Sequence, residues 1–172
     1  MNGMSDTNKQ QQPDAGEEGL RYSLLEMGKR KRIALVAHDH KKQEMLEWAR
    51  HNRETLSQHL LFATGTTGTL LARELSLHVN CFRSGPLGGD LQIGARIAES
   101  EIDCLIFFWD PLEAQPHDPD VRALIRICAV WNVPIACNRA SADFMITSPL
   151  MQSDYQRLLP PSYEEYIHRM DV

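Results

Sequence analysis

The sequence predicts an α/β fold, a single-domain three-layer α/β/α sandwich around a central, mainly parallel five-stranded sheet of Rossmann-like type. Three observations carry this. Short apolar runs at Ile33–Ala37, His59–Ala63, Val79–Phe82, Cys104–Phe108 and Val133–Cys137 alternate with stretches of helical period. The most apolar of these runs are continuous rather than alternating, the mark of strands covered on both faces. Polar, glycine-rich segments follow the strands, on the rim where a doubly wound sheet places its ligands.

Each element has its own signal. Residues 1–30 are set apart as an N-terminal extension, and residues 31–172 are expected to form the domain. Met1–Gly19 contains Gln10-Gln11-Gln12, Pro13 and Glu17-Glu18 and has no apolar period, so it is expected to be disordered. Arg21–Gly28 is expected to hold a short helical turn, and the basic run Lys29–Arg32 leads, solvated, into the sheet. The first strand, Ile33–Ala37, ends at His38-Asp39-His40, and Met45, Leu46, Trp48 and Ala49 give Lys41–Arg53 a helical period. The second strand, His59–Ala63, enters the turn Thr64–Thr67, with a helix from Gly68 to Leu75. Val79–Phe82 is a short strand ending at Ser84-Gly85-Pro86-Leu87-Gly88-Gly89-Asp90, before a helix over Leu91–Glu99.

Cys104–Phe108 is the most apolar strand and takes the central place, running into Trp109-Asp110-Pro111. Asp118 as N-cap and Pro119 at the first helical position start a helix over Val121–Val130. Val133–Cys137 reads as the fifth strand despite Pro134, and Ser141–Ile146 as a helix. Met151–Pro161 reads as irregular, and Tyr163–Met170 as a terminal helix.

Composition narrows the function classes. At 172 residues and 42% hydrophobic, the chain can bury one good core, without internal repeat or second domain. A net charge of −5 argues against a nucleic-acid partner, whose phosphates are bound by an excess of Lys and Arg. Cys81, Cys104, Cys128 and Cys137 form no Cys-x-x-Cys pair, so buried thiols in a reducing compartment are expected rather than zinc or disulfides. No run is long enough to span a membrane and the N-terminus lacks the apolar core of a signal peptide, so the cytoplasm is the expected location.

The chemistry is concentrated in a few short segments. Thr64-Gly65-Thr66-Thr67-Gly68, between a strand and a helix, directs backbone N–H groups and hydroxyls to one point, with the helix dipole behind them. A phosphate is the natural occupant. The segment has neither the Gly-Lys-Ser/Thr ending of a P-loop nor the Gly-x-Gly-x-x-Gly of a dinucleotide site. Its ordinary reading is a strand-to-helix turn with a threonine cap. Lys42 sits at a helix start, where the dipole favours anions, and a bound anion would resolve that conflict. His38 and His40 lack further ligands at metal-binding spacing, so no metal is expected. Ser84-Gly85 and Gly88-Gly89 read as turn residues or as donors, and Asp90 as an N-cap or a site carboxylate. His117 reads as a loop histidine or a site imidazole, and Asp120 as a helix-start acid or its partner. Residue types alone leave these pairs open.

Five segments taken together resemble methylglyoxal synthase: Ala34–His40, Ala63–Gly68, Ser84–Asp90, Phe107–Leu112 and Pro116–Asp120, in order within Arg32–Met170. The Ser-Gly-Pro-x-Gly-Gly-Asp and Phe-Trp-Asp-Pro-Leu blocks are its most specific parts. The resemblance implies a methylglyoxal synthase-like fold and conversion of dihydroxyacetone phosphate to methylglyoxal and inorganic phosphate, without metal or organic cofactor, in an allosteric homohexamer. It implies that Asp90 is the base, that His117 polarises the ketone, and that Asp120 is a second catalytic carboxylate. His38, Lys42, Thr64, Gly65, Thr66, Thr67, Ser84, Gly85 and His117 would then hold the substrate and its phosphate, with inorganic phosphate both product and inhibitor. Arg169 reads either as a residue reaching a neighbouring subunit, toward an acid such as Asp39, or as a solvated arginine. The competing reading is a regulatory module of the same fold that binds phosphate or an effector without catalysis. Such a module would resemble the allosteric domain of carbamoyl phosphate synthetase or part of the bifunctional purine-synthesis enzyme.

Overall fold

The structure, a computed structural model, describes residues 23–113 and 118–159. Strands β1 (Leu24–Met27), β2 (Arg32–Ala37), β3 (Leu60–Ala63), β4 (Val79–Cys81), β5 (Cys104–Phe108), β6 (Ile135–Ala136) and β7 (Tyr155–Leu158) occur with six α-helices. The helices are α1 (Lys42–His51), α2 (Arg53–Ser57), α3 (Gly65–Leu75), α4 (Gly89–Ala98), α5 (Asp118–Val130) and α6 (Arg139–Ile146). Five strands form one sheet in the order β4-β3-β2-β5-β6, every neighbouring pair parallel. The chain winds outward from β2 to β4, then returns to β5 beside β2. The carboxyl ends of β2 and β5 therefore flank the point where the winding reverses.

Both faces of the sheet are covered, which is why β2 and β5 are apolar along almost their whole length. Ile33, Leu35, Ile106 and Phe108 face Met45, Trp48, Leu71 and Ile146 from α1, α3 and α6. Ala34, Val36, Leu105 and Phe107 face Ile93, Ile97, Val121 and Leu124 from α4 and α5. Trp48 Nε1 donates to Asp143 Oδ1 at 2.9 Å, so a fully buried indole joins α1 to α6 without leaving its N–H unpaired. Burial pushes the Cys104 and Cys128 thiols up to about 12, and Cys81 is exposed. The two buried thiols are therefore packing groups rather than nucleophiles.

The architecture matches the expected α/β sandwich, with differences at particular elements. The helix expected over Lys41–Arg53 breaks at Asn52, whose φ of −100° and ψ of 16° leave the helical region before α2 begins. Asn52 Nδ2 donates to the Trp48 carbonyl at 2.9 Å, the side-chain competition that makes asparagine end helices. The helical turn expected in Arg21–Gly28 is instead strand β1. It pairs antiparallel with β7 inside Met151–Pro161, a stretch expected to be irregular. Lys31 holds this ribbon: its Nζ, in a residue only 1% exposed, donates to Met27 O at 3.2 Å, Gly28 O at 2.7 Å and Ser153 O at 2.6 Å. Three carbonyls from two distant segments thus solvate one buried ammonium. The disordered tail expected over Met1–Gly19, the terminal helix Tyr163–Met170 and its Arg169 lie outside the described residues. No helix of the described residues is long and apolar enough to cross a membrane.

Candidate active site

The polar segments that follow β2, β3 and β4 meet in one cleft beyond the carboxyl ends of these strands. Its walls include His38, Asp39, Lys42, Thr64, Thr66, Gly85, Pro86 and Asp90. A shallower groove sharing Lys42 and Thr66 continues past Gly65, Ser84, Thr69 and Arg73. Of the expected site residues, the structure brings His38, Lys42, Thr64, Gly65, Thr66, Ser84, Gly85 and Asp90 together.

The cradle is built differently from its expected form. Helix α3 begins at Gly65 rather than Gly68, so Gly65, Thr66 and Thr67 are its first turn. Thr64 occupies the cap position, but its side chain makes no capping bond; its Oγ1 lies 3.4 Å from Thr67 Oγ1. Gly65 N–H donates to Arg83 O at 3.1 Å and Gly68 N–H to Thr64 O at 2.8 Å. The N–H groups of Thr66 and Thr67 are thereby the first-turn donors left for a ligand. Gly65 sits in a tight place, because a Cβ would stand 3.0 Å from Phe82 O and the facing backbone would have to give way. Thr67 is fully buried and supports the cradle from below, whereas Thr66 is exposed.

The Gly88-Gly89-Asp90 block aims the carboxylate. A single 3-10 turn, Gly85–Leu87, precedes it, with Ser84 O accepting from Leu87 N and Gly89 N, both at 3.0 Å. Gly88 adopts φ +90°, which glycine tolerates. At Gly89 a Cβ would overlap the Arg83 carbonyl. The two glycines thus let α4 begin hard against the preceding loop, placing Asp90 in its first turn, 2% exposed, on the cleft. Gly89→Ala is expected to cost about 1–3 kcal/mol of stability, the usual range for overpacking. Gly28→Ala, where no atom lies within 4 Å, is expected to change stability by less than about 0.5 kcal/mol. Urea midpoints of the two variants check this, and equal midpoints would remove the steric account.

His38 is fixed from the other side. It is 5% exposed, its ring stands edge-on to Phe107 with centroids 5.1 Å apart, and its Nδ1 accepts the Asp110 N–H at 3.2 Å. That bond puts the hydrogen of the neutral imidazole on Nε2. Asp110 is therefore a positioning residue: its Oδ1 accepts from Leu112 N at 3.1 Å, and its Oδ2 lies 3.8 Å from His40 Nδ1. Glu113 Oε2 approaches the same His40 nitrogen at 2.9 Å. Sequence reading missed this grouping of an imidazole with two carboxylates, because the fold brings them together from the ends of β2 and β5. Lys42 pairs with Asp39, and the ammonium's hydrogen bond and charge hold the Asp39 carboxyl below its usual range. Asp120 lies in the first turn of α5, and is not among the residues lining the cleft. His117 lies outside the described residues.

The chain is similar to proteins of one family over most of its length. Residues 44–137 match the family model described as MGS-like domain. The methylglyoxal synthase of Saccharophagus degradans is 63% identical over 138 residues, covering 80% of this chain and 89% of that protein. That of Coxiella burnetii is 57% identical over 140 residues, covering 81% and 97%. The crystal structure of methylglyoxal synthase from Elizabethkingia anophelis superposes with a TM-score of 0.79 at 52% identity, covering 84% of this chain and 95% of that one.

Proposed function

The chain belongs to the methylglyoxal synthase family, and we infer that it is a carbon–oxygen lyase converting dihydroxyacetone phosphate to methylglyoxal and inorganic phosphate. One observation supports this above the others: a buried carboxylate, Asp90, shares a cleft with an uncapped helix N-terminus and a lysine. A binding module needs the helix and the lysine but has no use for the carboxylate. Asp90 takes a proton from the hydroxymethyl carbon beside the ketone, giving an enediolate. The ketone oxygen gathers charge in that step. His117, assigned through the resemblance, and His38, with its hydrogen on Nε2, are the imidazoles for that oxygen. Phosphate then departs from the carbon on the other side, and the resulting enol tautomerises to methylglyoxal. Departure requires the C–O bond to the phosphate to stand out of the enediolate plane. Holding it there is the task of Thr64, Gly65, Thr66, Thr67, Ser84, Gly85 and Lys42. Asp120 orients His117 or passes its proton. The decisive assay follows phosphate release from dihydroxyacetone phosphate while trapping the dicarbonyl product. Phosphate binding without release would move the chain to the regulatory-module reading.

Inorganic phosphate fits the same cradle, and the protein works as a cytoplasmic homohexamer whose sites communicate. Added phosphate is expected to shift the rate curve to higher substrate concentration and to make it sigmoidal. Curves unmoved by millimolar phosphate would contradict the cradle. Residues 1–18 carry no apolar period with which to join a core, so deleting them is expected to leave rate and assembly unchanged. Activity measurements and light scattering test this, and dissociation of the truncated protein would place the tail in the assembly.

A further inference from the structure

A second cavity, lined by leucines as well as polar residues, lies on the opposite rim of the sheet, at the amino end of β3, with a volume of about 100 Å³. Arg30, Ser57, His59, Ser76 and His78 are the polar residues among its walls. His59 is 5% exposed, and its Nδ1 accepts the Lys31 backbone N–H at 3.2 Å. The hydrogen of the neutral ring is therefore on Nε2, and this buried donor has no acceptor among the described residues. Leaving such a donor unsatisfied is costly, so the cavity needs an acceptor. The catalytic cleft cannot supply it, since that cleft opens at the other ends of the strands.

The surroundings select the kind of acceptor. Burial, followed by the positive charges of Lys31 and Arg30, holds the His59 pKa below its ordinary value. The ring stays a neutral donor at neutral pH, in a region of positive potential. Ser57 Oγ donates to Glu54 O at 2.7 Å, so its remaining capacity toward the cavity is as an acceptor. Arg30, Ser76 and His78 are the other wall residues whose side chains can donate. A cavity of about 100 Å³ has room for a tetrahedral oxyanion, where a single water needs only about 10–15 Å³.

We propose that the cavity between the start of β3 and the end of α3 is a second anion site, which binds an inorganic oxyanion of the phosphate class through His59 Nε2–H, Arg30 and Ser76. The site is independent of the catalytic cradle. The test uses the full-length protein with the cradle disabled by Lys42→Met and Thr66→Pro, which remove the ammonium and a first-turn N–H that a helix start can spare, titrated with inorganic phosphate while the thermal midpoint is followed. Chloride at matched ionic strength is the control. An anion that binds only the native state raises the midpoint in proportion to ln(1 + [L]/Kd). The expected result is a phosphate-dependent rise that survives in the cradle-disabled protein and is lost on adding Arg30→Gln. Arg30 is exposed, so that variant is expected to fold. A crystal grown in phosphate is expected to show tetrahedral density at His59 Nε2. No rise in the cradle-disabled protein, a rise equalled by chloride, or density for an ordered water only would each overturn the proposal. Turnover is not the readout, so the outcome does not depend on the assigned reaction.

Discussion

Asp90→Asn is expected to lower turnover by about 10³-fold or more, within the range of a carbon base whose removal leaves only water as proton acceptor. The substitution keeps side-chain volume and the first turn of α4, so the fold and the approach at Gly88 and Gly89 are retained. Substrate binding is expected to survive, because the groups proposed to hold the phosphate belong to α1, α3 and the loop after β4 rather than to α4. A phosphate-bearing enediolate mimic is the sharper probe. A buried carboxylate facing a developing negative charge repels it, so Asp90→Asn is expected to bind the mimic at least as tightly as the parent. His117→Gln should give the opposite pattern, with some turnover kept and mimic affinity reduced. Single-turnover rates together with mimic affinities separate the two roles. An Asp90→Asn protein turning over near the parent rate would take this carboxylate out of the reaction.

The parts of this site legible in the sequence were those with local causes. Continuous apolar runs marked β2 and β5 because both of their faces are buried, and glycines marked the turns after β3 and β4. From the chain alone Gly65 reads as part of a phosphate cradle and Gly89 as a turn residue or donor, and the backbone approach at each appears only in the fold. That α3 begins at Gly65 depends on the Gly65 N–H reaching Arg83 O, a contact between the loops that follow two different strands. The β1–β7 ribbon left no trace either, since its strands lie more than a hundred residues apart and the buried Lys31 that joins them looks like part of a solvated basic run. The tautomer of His38 was equally illegible. It is fixed by the backbone N–H of Asp110, seventy-two positions away, and no spacing rule in the chain encodes it.

Lys42→Met is expected to lower kcat/KM by about 10–150-fold, the equivalent of about 1.5–3 kcal/mol for a hydrogen bond to a charged group. Part of the loss should fall on kcat. The departing phosphate gains negative charge as its bond to carbon breaks, so a fixed ammonium is worth more in the transition state than in the bound substrate. The structure adds a competitor for that ammonium, because Lys42 at the start of α1 pairs with Asp39 one turn earlier. Since the pair holds the Asp39 carboxyl below its usual range, Asp39 stays ionised throughout the neutral range in which the enzyme is assayed. Its stabilising contribution is present above the ordinary carboxylate pKa and is lost as pH falls through the depressed value. At an 82% exposed carboxylate it amounts to no more than about 1 kcal/mol. Asp39→Asn therefore removes little stability and releases the full charge of Lys42 toward the phosphate. Inorganic phosphate should then inhibit at lower concentration, and in a Lys42→Met background the Asp39→Asn substitution should make a smaller difference, limited to the loss of Asp39's own repulsion of the anion. Inhibition curves for the two single variants and the double variant close the cycle. A Lys42→Met enzyme within about threefold of the parent kcat/KM, or weaker phosphate inhibition in Asp39→Asn, would show that this ammonium does not face the phosphate.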